Sequence, residues 1–178
     1  MTTRTAPVRA IEKMHIEITD SLNTADKAHL MGWSERVFPE EGRQYSWTES
    51  THHIVAYAST EPVAHLGFGL FEIQNGDQAE QVIGVGGVVV RPEWQGQRIP
   101  NRLFAHLHST EVLDARDRIF TLFCPARLEP YYAHMGYKNF EGDVLIPDGE
   151  GVKRFAFSFM YRGDAGFRPV ITLTTNPW

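Results

Sequence analysis

The sequence has little cysteine and no long apolar run. One cysteine, Cys124, stands among 178 residues, which excludes an internal disulfide and any cysteine-based metal cluster. The longest nearly uncharged stretch, residues 82–90, has nine residues including three glycines, whereas a membrane-spanning helix needs roughly 20 apolar residues. No apolar block follows the arginines of residues 1–9, so we expect no secretory signal and a cytoplasmic location.

The chain also lacks a surplus of basic residues. Lys and Arg number 17 against 22 Asp and Glu, and the formal net charge of −5 argues against a nucleic-acid partner. Hydrophobic residues make up 42% and charged residues 22% of the chain, which is typical of a globular protein and excludes a disordered tail or a coiled coil. The length predicts one domain over residues 10–178, preceded by a loose arm at residues 1–9.

Hydrophobic periodicity and turn residues predict a single α/β layer structure with a mixed sheet. Apolar runs predict strands at 14–19, 52–58, 63–73, 80–90, 119–124, 140–146 and 154–161. Helical spacing predicts helices at 23–38, 99–114 and 127–134. Asn23 is the expected N-cap of the first helix, and Gly136 is the expected left-handed residue after the third.

The junction between the fourth strand and the second helix carries the clearest chemical signal. The apolar run Val88-Val89-Val90 is followed by a polar loop and then by an amphipathic helix. A helix N-terminus exposes unpaired N–H groups and a partial positive charge, which together favour phosphates and other anions. An ordinary strand-to-helix connection is the alternative interpretation. The predicted anion-binding residues are Gln95, Gly96, Gln97, Arg98, Ile99, Pro100 and Asn101.

Two motifs resemble those of the GCN5-related N-acetyltransferases (GNAT). The first motif of that superfamily begins with Gln or Arg, as Gln95 does, but Arg98 and Pro100 stand where the superfamily usually has small residues. The second is Tyr131-Tyr132-Ala133-His134-Met135-Gly136-Tyr137, about 35 residues later. The run Trp94-Gln95-Gly96-Gln97-Arg98 is similar to Trp-Arg-Gly-Gln-Arg in aminoglycoside 2′-N-acetyltransferases, and the likeness spans roughly residues 45–178.

The resemblance implies a single-domain GNAT fold, with a mixed, mostly antiparallel central sheet flanked by helices, and acetyl transfer from acetyl-CoA to an amine. Val88, Val89 and Val90 would pair with the pantetheine arm, and the Val88 N–H would act as the oxyanion donor, which is typically worth about 3 kcal/mol. The amides of residues 95–101 would hold the pyrophosphate. Tyr132 would protonate the departing thiolate in a direct transfer. Cys124 as an acetyl carrier is the alternative.

The acceptor side departs from the aminoglycoside enzymes in two places. Ser46-Trp47 stands where they have Asp-Trp, and Gly86-Gly87 where they have Glu-Gly. Two missing carboxylates imply an acceptor with few ammonium groups, such as kasugamycin. A water relay ending on Glu41, Asp148 or Glu150 would remove the proton of the amine. The substrate-binding candidates are Glu41, Ser46, Trp47, Gly87, Asp148, Glu150 and Trp178 with its terminal carboxylate.

The sequence also leaves open other acceptors, a non-catalytic function and a homodimer. The acceptor is alternatively another small amine, a polyamine or a protein N-terminus, and a third reading is a non-catalytic acyl-CoA-binding module. Apolar residues 155–161 are a candidate homodimer surface. We expect no metal site, since the adjacent His52 and His53 face opposite sides of a strand.

Overall fold

The computed structural model describes residues 14–38 and 40–178, so the predicted arm at residues 1–9 lies outside the described residues. The helices are α1 (Thr24–Met31), α2 (Ile99–Ser109) and α3 (Glu129–Ala133), with 3₁₀ turns at Glu40–Gln44, Pro92–Trp94, Val112–Asp117 and Ala126–Leu128. The strands are β1 (Met14–Thr19), β2 (His52–Ala58), β3 (Glu61–Asn75), β4 (Gln78–Val90), β5 (Phe120–Cys124), β6 (Lys138–Asn139), β7 (Asp143–Asp148), β8 (Gly151–Arg154), β9 (Ser158–Arg162) and β10 (Val170–Leu173).

Ten strands of the described chain join in one sheet. Its order is β6-β9-β5-β4-β3-β10-β7-β8, and β2 also pairs with β3 and carries β1 on its other side. The β4–β5 and β7–β10 pairs are parallel, whereas the other pairs are antiparallel. The prediction of a mixed, mostly antiparallel sheet is therefore confirmed. No helix within the described ranges has the length and apolar character needed to cross a membrane.

Strands β4 and β5 diverge along their length. They pair in parallel only through residues 83–85 and 120–122. Beyond those residues β4 continues to Val90 and β5 to Cys124, so the facing edges of both strands lack each other as partners. Such an opening between parallel strands exposes backbone hydrogen-bonding groups that an extended ligand can satisfy.

A β-bulge interrupts β4 at this opening. Gly67 pairs with Gly86 and His65 pairs with Val89, so one residue of β3 lies opposite both Gly87 and Val88. Gly87 has a φ of +58°, a left-handed conformation that favours glycine. The bulge changes the direction of the Gly87–Val88 peptide relative to the rest of the ladder.

Both faces of the sheet are covered by apolar side chains. One core cluster joins Ile83 and Val85 of β4 to side chains of α2 and α3. On the other face, Trp178 stacks on Phe71 with ring centroids 4.4 Å apart. A Cβ on Gly84 would lie only 2.3 Å from Trp178 Nε1, so the missing side chain makes room for the indole.

Helix α1 ends earlier than predicted. It stops at Met31, where the Gly32 N–H donates to the Ala28 carbonyl at 2.8 Å and Trp33 Nε1 donates to the Leu30 carbonyl at 2.9 Å. Val37 still packs into the same cluster as Leu30. The apolar spacing therefore predicted which side chains are buried but not where the helix ends.

The second predicted helix and the strand predicted at 154–161 also differ from the structure in length. Helix α2 ends at Ser109, and Leu113 has a φ of +61° outside it, although the spacing placed Leu113 on the helical stripe. The predicted strand at 154–161 is two strands, because residues 155–157 leave the ladder and contribute Phe155 and Phe157 to an aromatic cluster. Phe159 and Met160 are buried too, so this segment is interior rather than an exposed apolar surface.

Candidate active site

The loop between β4 and α2 is held by its own side chains. Arg91 pairs with Glu93 at 3.0 Å and donates to the His29 carbonyl at 3.0 Å. Gln95 Nε2 donates to the Val90 carbonyl at 3.1 Å, and Gln97 Nε2 donates to the Glu93 carbonyl at 3.4 Å. These bonds fold the loop onto the end of β4 and direct the chain into α2.

Arg98 is the residue that enters helix α2. Its backbone is left-handed, with φ 55° and ψ 26°, a conformation that glycine adopts without strain and arginine does not. The Arg98 side chain is exposed and makes no hydrogen bond to any described residue. Arg98 therefore has a backbone conformation typical of glycine at the position where the motif usually has glycine. Its guanidinium adds a positive charge beside the N-terminus of α2, which is the positive end of the helix dipole.

Tyr132 is supplied by α3 and lies mostly inside the protein. It is 8% exposed, and its ring meets Phe104 of α2 edge to face with centroids 5.9 Å apart. Its hydroxyl makes no hydrogen bond within the described part of the chain, yet it is not one of the fully buried unpaired atoms. Burial raises the pKa of Tyr132 well above the ordinary value, so the phenol stays protonated and its O–H is available as a donor.

Cys124 ends β5 near Tyr132 but is arranged differently. It is buried, with its Sγ 3.7 Å from Met160 Sδ. Burial, with a smaller contribution from the charge of Glu129, raises the pKa of the Cys124 thiol to about 12. Because the thiolate is the nucleophilic form, this cysteine is poorly suited to carry an acyl group.

The bulge peptide contacts a pair of histidines. His65 Nδ1 lies 2.7 Å from the Gly87 carbonyl oxygen, and His65 Nε2 lies 2.9 Å from His53 Nδ1. Burial lowers the pKa of His65 to about 4, so the ring is neutral. Sequence reasoning considered His53 only as a metal ligand and missed His65. The available signal was one polar residue within the apolar run Val63-Ala64-His65-Leu66.

Glu41 and Trp47 belong to the loop before β2. Glu41 pairs with Arg127 at 2.7 Å, and its own backbone hydrogen bond and Arg127 lower the pKa of the Glu41 carboxyl. Trp47 Nε1 donates to the Gly42 carbonyl at 2.8 Å, while the ring, 39% exposed, meets Phe155 and Phe157 edge to face. Ser46 is exposed beside it.

The remaining acceptor candidates belong to the C-terminal half of the chain. The carbonyl carbon of Trp178 would lie 3.0 Å from a Cβ on Gly86, one residue before the bulge. Asp148 pairs with Lys153 at 3.2 Å, and Lys153 Nζ lies 5.9 Å above the Tyr45 ring. Glu150 is exposed in the turn between β7 and β8.

A cavity of about 490 Å³ lies between α2 and the residues after α3. It begins at Asn101, in the first turn of α2, and reaches Arg162 on β9. The predicted anion-binding loop therefore adjoins a concave surface. Its lining residues are Asn101, Phe104, Ala105, His108, His134, Met135, Gly136 and Arg162.

Comparison with known proteins identifies the family of the chain. The acetyltransferase (GNAT) domain matches residues 21–149, and the chain belongs to this family. Among curated proteins, none matches the chain significantly. The predicted superfamily and fold are confirmed, whereas the resemblance to aminoglycoside 2′-N-acetyltransferases stays a prediction.

Solved structures share the fold at low sequence identity. Escherichia coli YhbS, in complex with CoA, superimposes with a TM-score of 0.60 at 13% identity over 90% of this chain and 89% of its own. Escherichia coli ElaA gives 0.55 at 16% identity over 84% of this chain and 99% of its own. A GNAT acetyltransferase from Brucella melitensis, in complex with acetyl-CoA, gives 0.50 at 18% identity over 88% and 92%.

Proposed function

We propose that this protein transfers an acetyl group directly from acetyl-CoA to the amine of a small molecule. The observation that carries the proposal is the opening between β4 and β5, because β4 leads directly into the loop before α2 and Tyr132 packs in the same core cluster as Val85 of β4 and Cys124 of β5. The family match to residues 21–149 and the CoA and acetyl-CoA complexes of YhbS and the Brucella protein support the same reading.

The residues present suit acetyl-CoA. The edge formed by Val88, Val89 and Val90 offers backbone groups to the amides of the pantetheine arm, although the Val90 carbonyl already accepts from Gln95. The first turn of α2 offers N–H groups for the pyrophosphate, and Arg98 adds a positive charge there. The candidate donors are Gln95, Gly96, Gln97, Arg98, Ile99 and Asn101, whereas Pro100 has no N–H and would contact the ligand only through its ring. When bound, acetyl-CoA supplies an acetyl group activated as a thioester.

In this proposal two groups of the chain act on the reacting atoms. The Val88 N–H donates to the carbonyl oxygen on which negative charge develops. Tyr132, kept protonated by burial, gives its proton to the departing sulfur. The raised pKa of the Cys124 thiol supports direct transfer over an acyl-cysteine route.

The amine must lose a proton before it attacks. We propose that water carries this proton to a carboxylate, either Glu41, Asp148 or Glu150. Glu41 and Asp148 already pair with Arg127 and Lys153, which makes each a weaker proton acceptor.

The acceptor in this proposal carries few positive charges. Neither Ser46 nor Gly86 supplies a carboxylate, and Glu41 and Asp148 are paired with basic side chains, so Glu150 is the candidate carboxylate left for an ammonium group. An aminocyclitol antibiotic of the kasugamycin type meets this description and is our first candidate. Ser46, Trp47, Gly87 and the Trp178 carbonyl would border its site.

A thiol-release assay with acetyl-CoA and a panel of amines tests the proposal. We expect release with kasugamycin or a related antibiotic, and weaker release with polyamines and peptides. Release confined to polyamines, peptides or metabolites would retain the enzyme and refute the antibiotic acceptor. Calorimetric binding of acetyl-CoA without release for any amine would favour the non-catalytic module, which the Arg98 and Pro100 departures suggest.

The proposal also includes a cellular location and an oligomeric state. A cytoplasmic location fits the free, reduced Cys124. A homodimer stays a prediction, and burial of Phe155, Phe159 and Met160 within one chain removes the apolar surface that first suggested it.

A further inference from the structure

The Gly87–Val88 peptide is fixed in direction by a buried side chain. The Gly87 carbonyl oxygen accepts from His65 Nδ1 at 2.7 Å. A Cβ on Gly87 would lie 3.3 Å from His65 Cε1, so the glycine also lets the imidazole approach closely. Because a carbonyl oxygen only accepts, His65 must carry its proton on Nδ1.

The direction of the carbonyl decides the direction of the next N–H. The described peptides are all trans, and in a planar trans peptide the C=O and N–H bonds point in opposite directions. With the Gly87 oxygen turned toward His65 on β3, the Val88 N–H is turned away from His65. Along β3, His65 alternates with Ala64, Leu66 and Phe68, which belong to the core cluster that contains Tyr132, so the Val88 N–H is turned toward the face of the sheet that carries Tyr132.

His53 fixes the ring of His65 in turn. His65 Nε2 lies 2.9 Å from His53 Nδ1, and with its Nδ1 protonated the neutral His65 ring can only accept there. His53 therefore donates from Nδ1, and the two rings hold a single tautomer each. Both histidines lie on neighbouring strands, β2 and β3, so the support of the bulge is rigid.

We propose that His65, held by His53, is a positioning residue that aims the Val88 N–H at the thioester carbonyl. This inference rests on the proposed function and adds to it the element that makes the oxyanion donor point toward the face of the sheet that carries Tyr132. His65 touches neither the donor nor the acceptor in this account. Both of its ring nitrogens are occupied by Gly87 and His53, so it does not serve as the general base.

A matched pair of substitutions separates hydrogen bonding from packing. In His65→Asn the side-chain amide can donate from a position close to that of Nδ1, whereas His65→Leu has the same branching as asparagine and no donor. We expect His65→Leu to lower kcat by about ten-fold or more, with KM for acetyl-CoA and amine little changed, because a misdirected oxyanion donor acts mainly in the transition state. His65→Asn should restore a large part of that loss.

An infrared measurement makes the test independent of the acceptor. A hydrogen bond to the thioester carbonyl lowers its stretching frequency, and acetyl-CoA labelled with carbon-13 at that carbon reports it without any amine. We expect the lowered frequency in the wild type and in His65→Asn, and a return toward the free value in His65→Leu. Circular dichroism at each temperature used confirms that both variants are folded.

The outcomes are distinct for the two proposals. If the wild type does not bind labelled acetyl-CoA, the proposed function itself fails. If it binds and His65→Leu leaves both the carbonyl frequency and kcat unchanged, the positioning role is wrong. Loss of the acidic limb of the pH–rate profile in both variants would also overturn it, since that result identifies His65 as a base.

Discussion

At the scale of single residues, burial holds both Tyr132 and Cys124 in their protonated forms, with different consequences for catalysis. Burial raises both pKa values. A raised pKa keeps a phenol in the form that donates a proton, but it also keeps a thiol out of its nucleophilic form. The same environment therefore keeps Tyr132 protonated, without making it a stronger acid, and disfavours Cys124 as an acyl carrier.

We predict that Tyr132→Phe lowers kcat by about ten-fold or more in the thiol-release assay, because a positioned general acid is typically worth at least that factor. Its hydroxyl makes no hydrogen bond within the described chain, so the free energy of unfolding should change by less than about 1 kcal/mol. Tyr131→Phe is the matched control, since Tyr131 is 41% exposed. Equal rates for both variants would contradict the role of Tyr132.

Arg98 offers a second prediction at this scale. Arg98→Gly removes both the charge and a strained left-handed residue, whereas Arg98→Gln removes the charge alone. Both should weaken CoA binding about two- to five-fold by calorimetry, as expected for an exposed ion pair. Only Arg98→Gly should also raise the free energy of unfolding, by about 1 kcal/mol. Equal CoA affinity in all three proteins would show that Arg98 does not meet the phosphates.

The site residues differ in how far the sequence could predict them. Tyr132 and the 95–101 loop lie in contiguous motifs, so a single sequence was enough to point to them. His65 contributes through His53 and Gly87, which adjoin it only across β2 and β4. That contact depends on strand register and on the bulge, and neither can be read from spacing alone.

At the scale of elements, the glycines of β4 shape one face of the sheet. Gly84 leaves the space that the Trp178 indole fills, and Gly86 leaves the space beside the Trp178 carbonyl. Sequence reasoning treated Gly86-Gly87 as the loss of a carboxylate. The structure gives Gly86 and Gly87 additional roles, since one admits the tail and the other forms the bulge.

Gly84→Ala tests the packing of this face. A methyl group there would meet Trp178 Nε1 at 2.3 Å and Phe71 at 2.5 Å, so we expect the free energy of unfolding to fall by about 1–3 kcal/mol. Gly166→Ala is the control, because no atom lies within 4 Å of its added Cβ. Urea denaturation of the two variants and the wild type measures the difference. Equal stability would mean that the Trp178 side chain is not held against β4.

The sequence predicted strands better than helices. The 14–19 and 52–58 predictions agree with β1 and β2, because alternating burial is a local property of a strand. Helix ends depended instead on the Gly32 and Trp33 hydrogen bonds after α1 and on the left-handed Leu113 after α2. Those ends are set by local hydrogen bonds and backbone angles that hydrophobic spacing does not encode.

At the scale of the whole molecule, buried neutral histidines couple stability to pH. Burial lowers the pKa of His65 and of His108 to about 4. The unfolded chain binds a proton at each near pH 6.5, so between that pH and about 4 it binds more protons than the folded protein. The stability that these two neutral histidines contribute is therefore complete above pH 6.5 and is lost as the pH falls from 6.5 to about 4.

We predict that His65 alone accounts for about 3 kcal/mol of this loss once the pH reaches 4. Urea denaturation at pH 7, 6 and 5 gives the slope for the wild type. His65→Leu, which cannot titrate, should show a distinctly shallower slope over the same range. Parallel slopes would mean that folding does not lower the pKa of His65.

The bulge and its histidine support also bear on the order in which the chain assembles. His53, His65 and Gly87 belong to three successive antiparallel strands, β2, β3 and β4, which are neighbours in sequence. Closing short loops sacrifices less chain entropy than closing long ones, so we expect this meander to form early. Strand β5 pairs with β4 across a longer stretch of chain, so we expect the opening between β4 and β5 to take shape after the meander.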